Sequence, residues 1–386
     1  MSEALKDLRI LDFTRVLAGP IATMILADFD ADVVKVERPG SGDDTRAWGP
    51  PFDENGQATY FQALNRNKRS IALDLYDPRD SARARALALE SDVVVENFRP
   101  GLLDELNLGY ESLSSKRPAI IYCSITGFGQ SAGAELPAYD LLVQALGGLM
   151  SVTGTPDTEP QKAGIAVVDV LTGLFATIGI LVALHHRERT GEGQRIDVDM
   201  FSSLLAAFLN QASAYTLAGV VPQRMGNAHP SIVPYELFDT ADGKIALAVG
   251  NDRQFRSLCD VLGVSELGVH PLYATNAQRV ANRHALRSEL NRAFSRRSAA
   301  RWARELTDAR VPAGAVNDLA AAFALADKLG LDPIVELPRE DGTAARLTRN
   351  PIRLSVTPPS YRRAPPSLPS REEQITEPRG SRRKLR

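Results

Sequence analysis

A single carboxylate interrupts the apolar run Ala166-Val-Val-Asp-Val-Leu-Thr-Gly173. Asp169 can serve there in two ways. It can cap the helix that its apolar neighbours begin, the common use of Asp at a helix start. Ionised and partly withdrawn from water, it can also attack an acyl carbon as a nucleophile. The two uses are compatible. A helix N-terminus favours a negative charge, and an unperturbed Asp titrates at about 3.9, so the expectation is a carboxylate ionised near neutral pH. Arg38 follows the apolar segment Asp32-Val-Val-Lys-Val-Glu37. Its guanidinium suits bidentate capture of an adenosine phosphate; the alternative is a solvated surface arginine.

These side chains need a scaffold, and the first hundred residues supply alternating strand and helix patterns. Strands are expected at Arg9–Phe13, Asp32–Glu37, Ser70–Leu75, Asp92–Glu96, Ala119–Ser124 and Arg195–Asp199. Helices are expected at Pro20–Phe29 and Asp80–Glu90, then at Asp140–Met150, Val170–Arg189 and Phe201–Ala218. Strands separated by helices imply a parallel sheet, and nearly continuous apolar runs fit strands covered on both faces. The fold class is therefore α/β, with a Rossmann-like parallel sheet in a large domain that begins with residues 1–220. Past Val221-Pro222 the character changes. Tyr235–Phe238 and Lys244–Val249 flank Asp242-Gly243, a hairpin signal, and helices follow near Asp252–Leu262 and Ala277–Ser295. This predicts a smaller α+β domain over 225–320. Residues 325–386 are expected to return to the large domain and to end in a basic tail, Arg379–Arg386.

Composition narrows the function. The chain has 386 residues, a formal net charge of -2 and 44% hydrophobic residues. That balance argues against an electrostatic nucleic-acid binder. The two cysteines, Cys123 and Cys259, form no metal-ligand spacing and no disulfide framework, which points to a reducing cytoplasm. No signal peptide is visible at Met1–Lys6. The most apolar segment, Val170–Leu184, is shorter than the roughly 20 residues that span a bilayer, so it is read as a core helix and no membrane partner is expected. A nicotinamide site would need G-x-G-x-x-G after the first strand. The turn here is Thr14-Arg-Val-Leu-Ala-Gly-Pro20, with one glycine, and Gly127-Phe-Gly129 lacks the full pattern.

Several segments taken in order resemble the class III CoA transferases, the family that includes formyl-CoA transferase and is related to α-methylacyl-CoA racemase. They are Leu11-Asp-Phe-Thr-Arg-Val-Leu-Ala-Gly-Pro20, Val33-Val-Lys-Val-Glu-Arg-Pro-Gly40, Asn67-Lys-Arg-Ser70, Val95-Glu-Asn-Phe-Arg-Pro-Gly101, Tyr139-Asp140, Gln144-Ala145 and Asp169. Further on come Arg187-Glu-Arg-Thr-Gly-Glu-Gly-Gln194, Gly226-Asn-Ala-His-Pro230 and Val311-Pro-Ala-Gly314. The likeness spans almost the whole chain. It implies an interlocked, ring-like homodimer and an enzyme that moves CoA from an acyl-CoA to a small free carboxylic acid. It also implies Asp169 as the nucleophile, passing through an aspartyl-CoA thioester. CoA enters as a substrate; no permanently bound cofactor and no metal is expected.

Carried over residue by residue, the resemblance puts CoA contacts on Val16, Ala18, Arg38, Leu73, Asn97, Phe98 and Met200. Two basic CoA contacts of formyl-CoA transferase are missing, since Glu105 and the stretch Leu136-Pro-Ala138 stand in their places. Arg99, Arg46 or Arg69 are the candidates to replace them. Tyr139 stands where the racemase branch has a His before its Asp. That change argues against exchange of an α-proton, which needs two acid/base groups. His229 lies in a loop whose counterparts occur in transferases for succinyl-CoA and other dicarboxylates. It either hydrogen-bonds the distal carboxylate of an acceptor or fixes the loop. Gly147, Gly148 and Gly226 are candidates for close backbone approach to an oxyanion. A racemase and a catalytically silent CoA-binding protein are the competing readings.

Overall fold

The computed structural model describes residues 4–369 and divides into two compact units. The first comprises, within the described residues, 4–147, 163–219 and 332–369. It is built on six parallel strands: β1 (Arg9–Asp12), β2 (Asp32–Glu37), β3 (Lys68–Ala72), β4 (Val93–Glu96), β5 (Ile121–Thr126) and β6 (Arg195–Asp199). Their order is β3-β2-β1-β4-β5-β6. Leu11 of β1 lies beside Val34 of β2 on one side and Val94 of β4 on the other. The chain moves outward in one direction through β1 to β3 and in the other through β4 to β6. A switch point therefore falls between β1 and β4, at whose carboxyl ends open α/β sheets bind ligands.

Alternation along the strands sorts the core into two layers. Ile10, Val33, Val93, Val95, Ile121 and Cys123 meet α1 (Ala18–Asp28) on one face. Leu11, Val94 and Tyr122 meet Ala84 and Ala88 of α2 (Pro78–Glu90) on the other. Pro78 opens α2, and Asp77 caps it by accepting from the amides of Arg79 and Asp80. Each aliphatic side chain buried this way contributes roughly 1.5–3 kcal/mol. Beyond β5 come α3 (Asp140–Leu146), α4 (Val167–Thr190) and α5 (Met200–Ala207). Asp199 caps α5 through the amide of Ser202 at 2.6 Å.

Helix α4 corrects one expectation. It runs 24 residues, from Val167 to Thr190 where Val170–Arg189 is expected, and is long and apolar enough to cross a membrane by length and composition alone. In this fold Ala176, Ile180, Ala183 and Leu184 pack against the sheet and α1. Its other side leaves Leu174, Phe175, Ile178, Leu181 and Val182 exposed.

The C-terminal segment forms a hairpin, Ile334–Pro338 with Ala344–Thr348, that the Pro- and Arg-rich composition did not reveal. It then runs as a strap across the end of α1 and the residue before β3. Ser360 N–H donates to Asp28 O at 2.7 Å, and Asn67 Nδ2 donates to Ser360 O at 2.9 Å. The amides of Arg362 and Arg363 donate to Asn67 Oδ1 at 2.8 and 3.1 Å. Beneath the strap, the buried Asp28 carboxylate accepts from Arg66, Asn67 and Asn350. The expected tail Arg379–Arg386 lies outside the described residues.

The second unit comprises residues 148–162 and 220–331. Strands β7 (Tyr235–Asp239), β8 (Lys244–Ala248) and β9 (Ala313–Ala315) form an antiparallel sheet. Phe238, Ile245 and Leu247 pack on α6 (Asp252–Leu262), α7 (Arg283–Phe294) and α8 (Ala299–Asp308), around Phe255, Leu290 and Trp302. The single helix expected over Ala277–Ser295 is broken. Asn282 spends its side-chain amide on the carbonyls of Leu272 and Gln278, which competes with helical continuation.

Candidate active site

Asp169 does not cap α4. The cap position is Ala166, whose side chain has nothing to offer, and Asp169 is the third helical residue. The orphaned amides are served from α3 instead. Asp140 Oδ1 accepts from Val168 N–H at 2.8 Å and from Asp169 N–H at 3.3 Å. Gln144, one turn along α3, donates to the other Asp140 oxygen, and its own Oε1 accepts from Ala163 N–H at 2.8 Å. Two fully or mostly enclosed polar side chains thus fix where α4 begins.

With its amide held by Asp140, the Asp169 side chain turns toward the start of α1. The residue is 8% exposed, and Ala18 N–H donates to its carboxylate. Gly173, four residues on and so on the same face of α4, makes this approach possible. A Cβ there would sit 2.1 Å from Ile21 Cγ2 and 2.6 Å from the Ala18 carbonyl oxygen. Only a missing side chain lets the two helices close to that distance.

Burial pushes the Asp169 carboxyl up to about 7, the negative charge of Asp140 pushes the same way, and the Ala18 amide opposes both. This corrects the expectation of a carboxylate fully ionised near neutral pH. The helix N-terminus alone does not outweigh desolvation plus a neighbouring like charge. Tyr60 faces the same charges: burial, then Asp169 and Asp140, raise its phenol. It stacks edge-on with Trp48, ring centroids 5.3 Å apart. Asp140, Tyr60 and Trp48 carry no local sequence signal for these roles. Their partners are far away in sequence, so only the fold reveals them.

Six of the seven expected CoA contacts, Val16, Ala18, Arg38, Leu73, Asn97 and Phe98, follow the carboxyl ends of β1 to β4. Asn97 spans the switch point. Its Oδ1 accepts from Arg15 N–H at 2.9 Å, and its Nδ2 donates to Arg15 O at 2.8 Å. Val16 adopts φ 69°, a left-handed conformation that a β-branched residue rarely takes. Leu73 is 2% exposed inside the core beside α2, and its amide donates to Glu37 O, so its carbonyl is the polar group left to a ligand. Met200 is buried at the carboxyl end of β6, the far edge of the sheet. Arg38 is half exposed and pairs with Asp44.

Of the proposed replacement cations, Arg46 is fully committed. It holds Glu37 with two hydrogen bonds of 2.7 and 2.8 Å, reaches Pro366 O at 3.0 Å and stacks 3.6 Å from the Phe61 ring. Arg69 grips Asp32, and Arg99 pairs with Glu105. Gly147 and Gly226 also have other tasks. Their amides donate to Val143 O at 2.8 Å and to Gly154 O at 2.9 Å.

Tyr139 precedes α3 with 63% of its surface exposed. In the second unit, His229 is held by its backbone. Its N–H donates to Tyr235 O at 3.1 Å, and its carbonyl accepts from Arg283 Nη1 at 3.1 Å. Its Nδ1 accepts from Ser231 N–H at 3.0 Å, which leaves the proton of the neutral ring on Nε2. Among the described residues no group of three or more His, Cys, Asp or Glu is placed to hold a metal ion.

The model of CoA-transferase family III matches residues 5–371. The succinate–glutarate CoA-transferase of Agrobacterium fabrum is 45% identical over 382 residues, covering 96% of this chain and 94% of that protein. The acetyl-CoA:oxalate CoA-transferase of Acetobacter aceti is 39% identical over 369 residues, covering 95% and 92%. A solved structure described as a CAIB/BAIF family protein from Brucella suis superposes with a TM-score of 0.85 at 42% identity, covering 97% of this chain and 99% of that one.

Proposed function

Since this chain belongs to CoA-transferase family III and transfers CoA between an acyl-CoA and a carboxylic acid, we propose that Asp169 carries the transfer covalently. The ionised carboxylate attacks the donor thioester carbonyl; the C–S bond breaks, giving a mixed anhydride and CoA thiolate. The thiolate attacks the aspartyl carbonyl, forms an aspartyl-CoA thioester and releases the donor's carboxylate. The acceptor carboxylate attacks that thioester, again freeing the thiolate. The thiolate then takes the acceptor's acyl carbon, and Asp169 leaves as carboxylate.

The observation that carries this reading is the Asp169 carboxyl itself, enclosed, poised at about 7 and hydrogen-bonded by Ala18 N–H. A nucleophile with a raised pKa is more basic than a surface aspartate, yet half ionised at neutral pH. Ala18 N–H is the donor for the oxyanion that forms when the aspartyl carbonyl becomes tetrahedral. Val16, Arg38, Leu73, Asn97, Phe98 and Met200 hold CoA along the carboxyl ends of the strands.

The substrates are succinyl-CoA as donor and a small dicarboxylic acid as acceptor. Two relatives are named for glutarate and oxalate, both dicarboxylates. The Nε2–H of His229, left free by the Ser231 contact, donates to the distal carboxylate, and Tyr139 lines the acyl site. A second copy of the chain covers the exposed apolar stripe of α4, interlocked with the first as a homodimer. The two free, buried thiols suit a reducing cytoplasm.

The test is intact-protein mass spectrometry after incubation with succinyl-, acetyl-, formyl- and branched acyl-CoAs, trapped with hydroxylamine or borohydride. An adduct on the wild type, mapped to Asp169 and missing from Asp169→Ala, supports the covalent route. Turnover without any trapped adduct, or an adduct that survives in Asp169→Ala, sinks it.

A further inference from the structure

Arg46, near the carboxyl end of β2, is spent on Glu37 and the Pro366 carbonyl. Arg15 is different. It emerges at the carboxyl end of β1, at the switch point, with both backbone polar groups held by Asn97. The residue after it sits at φ 69°, with its amide on Asp43 Oδ1 at 3.3 Å. The Thr14 carbonyl just before it accepts from the fully buried Lys35 at 2.6 Å. Strain of this kind persists only where surrounding structure over-determines it, and it clusters at ligand sites. Here three side chains hold the turn that aims Arg15.

The guanidinium of Arg15 is underused. It lies over the Phe98 ring, 4.9 Å from the centroid. Its Nη1 is 3.5 Å from Asp44, an ion pair too long for a good hydrogen bond. Its Nε is buried and has no hydrogen-bond partner among the described residues, a condition worth about 1–3 kcal/mol of destabilisation unless something fills it. Arg38 approaches the same Asp44 from the end of β2. Two guanidinium forks therefore converge on one carboxylate that is 40% exposed.

We propose that Arg15 and Arg38 together grip a phosphate group of CoA at this point, and that Asp44 is the stand-in anion that holds the two side chains in place until the phosphate displaces it. The 3′-phosphate offers three terminal oxygens and the pyrophosphate two on each phosphorus, more acceptors than the single carboxylate gives two guanidinium forks. The inference rests on the reading that CoA lies along these strand ends.

The experiment measures binding of CoA, and separately of dephospho-CoA, to the full-length protein by calorimetry at several salt concentrations. The variants are Arg15→Gln, Arg38→Gln and Asp44→Asn. Arg15→Gln should weaken CoA binding at least tenfold at low salt, and the dependence on salt should become shallower. Asp44→Asn should tighten it or leave it unchanged. If dephospho-CoA shows no loss on Arg15→Gln, the 3′-phosphate is the group gripped; an equal loss assigns the pyrophosphate. Retention of CoA affinity within twofold in Arg15→Gln, while Arg38→Gln loses it, overturns the proposal and leaves the CoA site standing. Loss in neither variant overturns the CoA site itself. If Arg15→Gln lowers the melting temperature, Asp44→Asn still decides: weaker CoA binding there makes Asp44 a support instead of a displaced anion.

Discussion

Gly173→Ala isolates the contact between α1 and α4 on which the proposed chemistry turns. The added methyl would stand 2.6 Å from the Ala18 carbonyl oxygen and 2.1 Å from Ile21 Cγ2. Ordinary contact begins at 3.4 Å, and no rotamer relieves a clash with backbone, so the helices must part by about 1 Å. Stability should change little. Alanine in a helix interior is favoured over glycine by about 1 kcal/mol, against about 1–3 kcal/mol for overpacking. Catalysis should change a great deal. A 1 Å retreat takes Ala18 N–H out of reach of the Asp169 carboxylate, and loss of one such donor costs roughly 100- to 1,000-fold in kcat. Because that amide is the one influence holding the carboxyl down, the acid limb of the pH–rate profile should also move up from about 7. The assay is steady-state transfer of CoA from succinyl-CoA to glutarate across pH 5.5–9, with a melting curve on the same samples. A folded variant with kcat within threefold of wild type and an unmoved acid limb refutes the reasoning.

The raised carboxyl has a signature in stability as well. In the unfolded chain Asp169 titrates near 3.8, in the folded chain near 7, so between those values the folded state binds more protons. Its contribution is fully present below pH 4 and is lost as pH rises through 7, by up to about 4 kcal/mol. Asp169→Asn should flatten that decline in urea unfolding at pH 5 and 7.5; an equal decline in both proteins counts against an enclosed carboxyl. Asp28→Ala strands the buried Arg66 guanidinium, which is 4% exposed in its side chain, and should cost about 3–5 kcal/mol in urea unfolding. A loss under 1 kcal/mol would mean that solvent already reaches that pair. His229→Ala should raise KM for glutarate at least tenfold and leave KM for monocarboxylic acceptors within twofold; an equal rise for both makes His229 a loop anchor.

The strands were legible because burial on both faces demands unbroken apolar runs, as at Val93–Val95. Their termini slipped by one to three residues where polar ends take part in pairing: β3 starts at Lys68, whose ammonium is buried on Asp12. Helix breaks were not legible. Asn282 looks like any polar helix residue until its side chain finds two carbonyls, and Leu209, at φ 44°, interrupts Phe201–Ala218 without a glycine or proline. At the candidate site, Asp169 was visible as a lone acid. Its control was not, because Asp140, Ala18 and Gly173 act through contacts between elements far apart in the chain. Arg15 lies within Leu11–Pro20, but its partners Asp44 and Phe98 are fixed by the order of strands, which no local pattern encodes.

The strap over Asn67 has a bearing on how the chain is made. Asp28 waits for Asn350, 322 residues later, and Asn67 waits for Ser360, 293 residues later. A ribosome adding roughly 5–20 residues each second needs tens of seconds to span that gap. Throughout it, the parallel sheet can assemble, but its Asp28–Arg66 pair stays open to water. The segment 220–331 is nearly continuous and closes its own core, so it can settle during synthesis. The first unit is then sealed only after residues 350–363 have been made, later than the inserted unit can close. Truncation before residue 350 should leave a chain with its inserted unit intact and its sheet unlocked, a natural client for chaperones.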